Sequence, residues 1–185
     1  YVTLCHSANN SVCDSCAPEV KTWGGLSPFG KQLVAEMNSI GMLIDVSHIS
    51  DDSFYDVISL SSKPVVATHS CCRALSDHPR NLSDDMIKVL AENGGVVQIN
   101  FYPLFLDVNF RRILQDSGIT ERGEVIENEF IADPDNPRKR AAWNVVQDEL
   151  RALERPSFKL IADHIDHVVS LVGVDHVGIG SDFDG

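Results

Sequence analysis

Two stretches of this chain, "MLIDVSHIS" and "PVVATHS", each run apolar into a histidine, His48 and His69, and stop on a serine. A third, "YVTLCHS", reaches His6 in the same way, and "HVGIGSDFDG" runs into Asp182. Neutral imidazole ligates zinc, and neighbouring strands lie ~5 Å apart, so two histidines on adjacent strand ends reach one cation. Such a site keeps a position open for water, whose pKa falls toward ~7 on zinc. Asp182, on a further strand end, is placed to take and return a proton. After His69, "SCCRALSDHPRN" carries Arg73 and Arg80. A guanidinium on that loop clamps a substrate carboxylate through paired hydrogen bonds. Singly, each residue has a plainer reading, a polar group where a strand meets solvent. Their collection at strand ends is what a metal or acid–base site requires.

The elements that must hold these residues alternate. Strands are expected at Tyr1–His6, Met42–His48, "KPVVATHS", "GVVQINF" and "HVGIGSDFDG". "SPFGKQLVAEMNSIG" reads as a helix with Ser27 as N-cap, Pro28 in the first turn and Gly41 past the end. Its Phe29, Leu33, Met37 and Ile40 share one face at helical spacing. Helices follow at "SDDSFYDVISLSS", Ser83–Asn93 and "SFKLIADHIDHVVSLVG". Strands separated by helices mean a parallel sheet. The strands read as apolar on both faces, which suits a (β/α)₈ barrel, a TIM barrel, better than a doubly wound sheet. No Gly-rich phosphate loop follows the first strand, so a nucleotide-binding sheet has no support. In a barrel the strand C-termini form the active face, which selects His6, His48, His69, the Asn100–Tyr102 end and Asp182. His164 and His167 are expected on a helix surface, and His176 at the opposite, stability face.

Composition narrows the partners. Of 185 residues, 43% are hydrophobic, and the formal net charge is -12. That charge argues against nucleic acid and anionic membrane. No apolar run reaches the ~18 residues of a membrane span, so no transmembrane segment is expected in this chain. The five cysteines are odd in number, and "CDSC" has no second pair to complete a zinc ribbon. The chain starts and stops beside apparent strands and is expected to be a portion of a longer polypeptide. Residues 1–185 are read as a partial catalytic barrel domain, with 103–156 a charged insertion between strands.

"GLSPFGKQLVAEMNSIGMLIDVSHIS", "PVVATHS", Arg80-Asn81, "INFY" and "GIGSDFDG" resemble, in order over nearly the whole chain, the membrane (renal) dipeptidase family of binuclear zinc peptidases. The resemblance implies a (β/α)₈ barrel, of which this chain supplies roughly strands 4 to 8. It implies that His48 and His69 bind one of two zincs. His6 would stabilise the oxyanion, Arg80 would hold the substrate's terminal carboxylate and Asp182 would shuttle the proton. The implied reaction is hydrolysis of a dipeptide by a metal-bridging hydroxide. Homodimers and exported or membrane-anchored members are common in the family. Its remaining metal ligands, a His-x-Asp pair and a bridging glutamate, would lie upstream of Tyr1. The chain alone is therefore expected to hold at most one metal, weakly, without useful activity. A tyrosine found near the substrate in some members falls at Phe105. Two other readings stand beside the dipeptidase: another metal-dependent barrel amidohydrolase, and a barrel-derived binding protein without catalysis.

Overall fold

The structure, a computed structural model, describes residues 1–183. Its framework is a five-stranded sheet, all parallel, with strands in the order of the chain: β1 Val2–Thr3, β2 Ile44–Asp45, β3 Val66–Ser70, β4 Val96–Ile99 and β5 Val177–Ile179. The order never reverses, so the doubly wound alternative, which needs a switch point, does not describe these strands. Helices α1 Pro28–Ile40, α2 Asp51–Leu60, α3 Asp84–Glu92 and α8 Lys159–Val172 pack in succession, α1 on α2, α2 on α3 and α3 on α8.

Local chemistry sets the helix starts. Ser27, Ser50 and Ser83 each accept the backbone N–H three residues on, closing the first turn of α1, α2 and α3. Gly41 ends α1 in the left-handed conformation, as expected from its place in the sequence. The buried face of α1 differs from expectation. Phe29 and Ile40 are exposed, whereas Gly30, Val34 and Met37 are buried. The stripe is rotated because Gly30 lies directly against the Val12 carbonyl, which only a residue without Cβ permits.

The regular strands are shorter than the apolar runs. Pairing in β1 and β2 covers two residues each. Beyond them, loops take the backbone groups. Asn10 Nδ2 donates to Leu4 O, and the Cys16 N–H donates to His48 O. The strands are also not apolar on both faces. Ile44, Ala67, Val97 and Ile99 are buried in the core, and the alternate positions include Thr3, Asp45, Thr68 and Gln98. Between β3 and β4 the register steps from Ala67↔Val97 to Ser70↔Ile99, so β3 carries one extra residue, a bulge at Thr68–His69.

Between β4 and α8, where the charged section was expected, lie α4 Pro103–Leu106, α5 Val108–Ser117, α6 Ile119–Ala132 and α7 Pro137–Ala152. α6 and α7 pack against each other, with Phe130 stacked on Trp143 and Arg122 paired with Glu149. No helix of the described residues is long and apolar enough to cross a membrane.

The Gly30 contact is testable. Gly30→Ala would normally gain up to ~1 kcal/mol of helix propensity. Here the methyl overlaps backbone, so we expect a net loss of about 1–3 kcal/mol in urea unfolding. Unchanged or increased stability would show that α1 does not dock on Val12.

Candidate active site

The C-terminal ends of the strands converge as the sequence led us to expect. His6, His48, His69 and Asp182 line one cavity of about 380 Å³, with Thr3, Leu4, Cys5 and Asn10. The His48 and His69 Nε2 atoms lie 2.8 Å apart. The His6 and His48 ring centroids are 4.3 Å apart, and Ser7 Oγ bonds His6 Nδ1 at 3.0 Å.

Backbone strain aims two of these groups. Among the described residues, His48 (φ 72°) and Asp182 (φ 59°) are the two non-glycine residues in the left-handed region. That conformation costs about 1–2 kcal/mol for an L-residue. At His48 the surroundings enforce it: the carbonyl accepts from Cys16 N–H at 2.8 Å and from Ser15 Oγ at 3.3 Å. Asp182 follows Gly180, which crosses so close to the Thr68 carbonyl that any Cβ there would overlap it. Buried Asn100 then holds Asp182, donating from Nδ2 to Oδ2 at 2.8 Å, while its own Oδ1 accepts from the Tyr102 N–H.

A buried carboxylate supports the imidazoles. Asp45 Oδ1 accepts from the Ser47 N–H (2.9 Å) and the Thr68 N–H (3.0 Å). Its Oδ2 accepts from the Thr3 and Thr68 hydroxyls, both at 2.7 Å. Burial pushes its pKa up, but these four donors outweigh burial and hold it below the usual carboxylate value. Thr68 Oγ1 also meets His69 Nδ1 at 2.7 Å. Burial, then the Arg80 charge and the neighbouring imidazoles, lower His48 to about 3. Burial and Arg80 lower His69 as well. Both rings are therefore neutral near pH 7, the form that ligates metal.

The two arginines separate. Arg73 forms a two-pronged ion pair with Asp51, at 2.6 and 2.7 Å, which ties α2 to the loop after β3. Arg80 is nearly buried, 7% exposed, and donates from Nη2 to His69 O at 3.0 Å. Its guanidinium lies 5.2 Å from the Phe105 ring centre, and its Nε has no partner among the described residues. No carboxylate of the described residues is in ion-pair contact with it. Phe105 thus presents a ring, not a hydroxyl, to the arginine.

As a metal centre the described residues are half complete. No group of three or more His, Cys, Asp or Glu among them gathers around one point. The convergent, neutral Nε2 pair of His48 and His69 fits two of zinc's ligand positions and no more.

The remaining histidines are structural. The sequence placed His164 on a helix surface, but it is 1% exposed. The Cys72 N–H donates to its Nδ1 at 3.0 Å, so Nε2 carries the proton and donates to Leu106 O at 3.2 Å. It sits one turn from buried Val168, and this row, not the flanking acids, faces the core. His167 pairs with Asp84 at 2.8 Å, and His176 bonds Gly95 O at the expected opposite end of the sheet. His78 accepts the Arg80 N–H and is lowered to about 4 by burial and then by Arg111 and Arg80. The five cysteines are all unpaired thiols, and "CDSC" is a loop in which Asp14 collects the N–H groups of Thr22, Trp23, Gly24 and Gly25. Sequence reading missed Asp45 and Thr68. The available signal was an acid in the middle of an apolar strand, which demands buried donors.

Two outcomes follow from this geometry. His48→Gly should be about 1 kcal/mol more stable than His48→Ala, because glycine tolerates the left-handed backbone. Equal midpoints in urea would remove the strain. The buried His164 and the half-buried His48 and His78 have folded pKa values below the unfolded ~6.5. Their contribution is complete above pH ~6.5 and is lost as pH falls toward the folded values. Metal-free protein should therefore lose stability from pH 7.5 to pH 5; a flat profile would contradict neutral burial.

Comparisons with known proteins bear on the family and the overall fold. The profile of the family described as "Membrane dipeptidase (Peptidase family M19)" matches residues 1–185. "Dipeptidase tcpJ" of Claviceps purpurea is 35% identical over 185 residues, covering 100% of this chain and 33% of that protein. "Dipeptidase verJ" of Clonostachys rogersoniana is also 35% identical, with 36% of its length covered. The chain thus spans about a third of the length of these curated relatives. Among solved structures, the probable dipeptidase PvdM from Pseudomonas aeruginosa superposes with a TM-score of 0.75 at 30% identity, over 98% of this chain and 50% of that one. A metallo peptidase from Rhodobacter sphaeroides, liganded with a phosphinate mimic of the dipeptide L-Ala-D-Ala, gives a TM-score of 0.70 at 28% identity, over 99% and 42% of the two chains. With its full length matched by the family profile, this chain belongs to the membrane dipeptidase family.

Proposed function

We propose that the protein carrying this chain is a zinc-dependent dipeptidase. The observation that carries the reading is Arg80. A buried guanidinium without a carboxylate partner is costly to maintain. It lies against the backbone of His69, one of two imidazoles poised for a metal. A free dipeptide supplies the missing carboxylate and places a peptide bond beside that metal.

His48 and His69 would hold one zinc, and residues outside this chain would hold the second and bridge the two. Zinc bound there supplies a polarised water as nucleophile. Arg80 binds the substrate's C-terminal carboxylate and fixes its register. His6, on the opposite side of His48, donates to the carbonyl oxygen as negative charge builds on it. Asp182, anchored through Oδ2 by Asn100, takes the proton of the attacking water and gives it to the leaving amine. With two imidazoles only, the chain alone would bind at most one metal, weakly, and turn over no dipeptide.

The sequential parallel sheet and its outer helices support the further reading that residues 1–185 are part of a closed (β/α)₈ barrel, its roughly fourth to eighth strands. The helices over 103–156 are then a charged insertion between strands, read as a solvated excursion.

A different metal-dependent amidohydrolase, acting on substrates without a free carboxylate, is separated from this reading by Arg80. In the parent protein, Arg80→Lys and Arg80→Ala should raise KM for free dipeptides by roughly 10- to 100-fold, the worth of a charge-assisted hydrogen bond. C-terminally amidated dipeptides should be affected little. Equal losses on both would favour the other hydrolase.

A further inference from the structure

We propose that Asp45 and Thr68 are positioning residues that fix His69 as the Nδ1–H tautomer, with the Nε2 lone pair facing the metal position. The inference rests on the reading of His69 as a metal ligand and adds how that ligand is set before any metal arrives.

Hydrogen-bond accounting leaves one arrangement. Asp45 is fully buried and accepts four donors: two backbone N–H groups and the hydroxyls of Thr3 and Thr68. Four donors occupy a carboxylate's acceptor sites, which leaves no room for a proton of its own. The single hydroxyl proton of Thr68 must therefore point to Asp45 Oδ2. Thr68 Oγ1 then has nothing left to donate, so its 2.7 Å contact with His69 Nδ1 requires the ring to donate. A neutral imidazole has one N–H. The proton is on Nδ1, and Nε2 is bare.

The backbone makes this chain of bonds reachable. Successive side chains on a regular strand point to opposite faces. Thr68 and His69 are consecutive, yet their side chains bond each other. The bulge in β3 falls at this pair, and it turns the histidine toward the threonine. Ser47 adds a second hold, its Oγ accepting the His69 N–H at 3.1 Å.

His48 is different. Among the described residues its Nδ1 has no hydrogen-bond partner, and its Nε2 faces the bare Nε2 of His69 at 2.8 Å. The fold thus holds the His69 ring through Nδ1 and gives His48 no such hold among the described residues. Partners of this kind raise ligand basicity and orient the ring, and their loss typically costs 10- to 100-fold in metal affinity.

The test uses the parent protein, metal-free and zinc-loaded, as wild type, Thr68→Val and Thr68→Ser. In ¹⁵N-histidine spectra of the metal-free wild type, His69 should show a protonated Nδ1 and a bare Nε2. Competition with a chelator should give Thr68→Val a zinc affinity roughly 10- to 100-fold weaker, and Thr68→Ser, which keeps the hydroxyl, an affinity near wild type. A purely structural threonine would make serine and valine differ in stability but not in tautomer. A wild-type His69 protonated at Nε2, or unchanged zinc affinity in Thr68→Val, would overturn the proposal. If Thr68→Val fails to fold, the wild-type tautomer decides alone. Zinc bound through the expected tautomer without dipeptide turnover would sink the dipeptidase reading and leave this inference standing.

Discussion

The geometry of the site depends on one buried carboxylate. Asp45 accepts hydrogen bonds from Thr3 on β1, from Ser47 just after β2 and from both the backbone and the hydroxyl of Thr68 on β3. These are the three strands that deliver His6, His48 and His69. Regular pairing between them is short, two residues in β1 and two in β2, so the ladder alone cannot fix their ends. Placing an ionised group in the core is affordable only when its lone pairs are filled. That requirement works in reverse as well: three strands must sit where Asp45 can be satisfied, and their histidines then share one cavity.

The same economy explains what the sequence disclosed. Helix starts were readable because Ser27, Ser50 and Ser83 act through bonds to neighbours a few residues away. The histidines at the strand ends were readable because strand order and direction decide which residues meet, and both follow from the alternation of elements. The support beneath them was not. Asp45, Thr68 and Thr3 are far apart in the chain, and the bulge at Thr68–His69 leaves no compositional trace. His164 failed for a related reason. Its surface position was inferred from the rule that barrel helices lie outside, whereas its role depends on Cys72 N–H and Leu106 O, which come from elements remote in sequence. The exposed Phe29 shows the converse error, since the tilt of α1 is set by the small Gly30 and not by its largest apolar residue.

Strain and satisfaction are divided between different residues at the mouth of the sheet. His48 and Asp182 both carry left-handed backbones, and both are locked by bonds to neighbouring loops. A β-conformation at either position would swing the side chain away from the cavity. The cost, of order 1–2 kcal/mol each, is small beside the burial of the core residues that flank them. It fixes the direction of both side chains toward the shared cavity.

Asp45 and Arg80 are the two buried charges nearest the imidazoles, and their contrast bears on function. Every acceptor site of Asp45 is filled from within the fold, so it asks for no ligand and stabilises the scaffold. Arg80 keeps one bond to His69 O and the face of Phe105, and its Nε stays unpartnered among the described residues. A guanidinium has five N–H donors, and on the proposed reading an entering carboxylate would meet donors that the fold leaves unpaired. The fork matches a carboxylate in shape and charge. On the proposed reading, a filled carboxylate below the histidines and an unfilled guanidinium beside them would divide the work: the first would hold the imidazoles still, and the second would select what is brought to them.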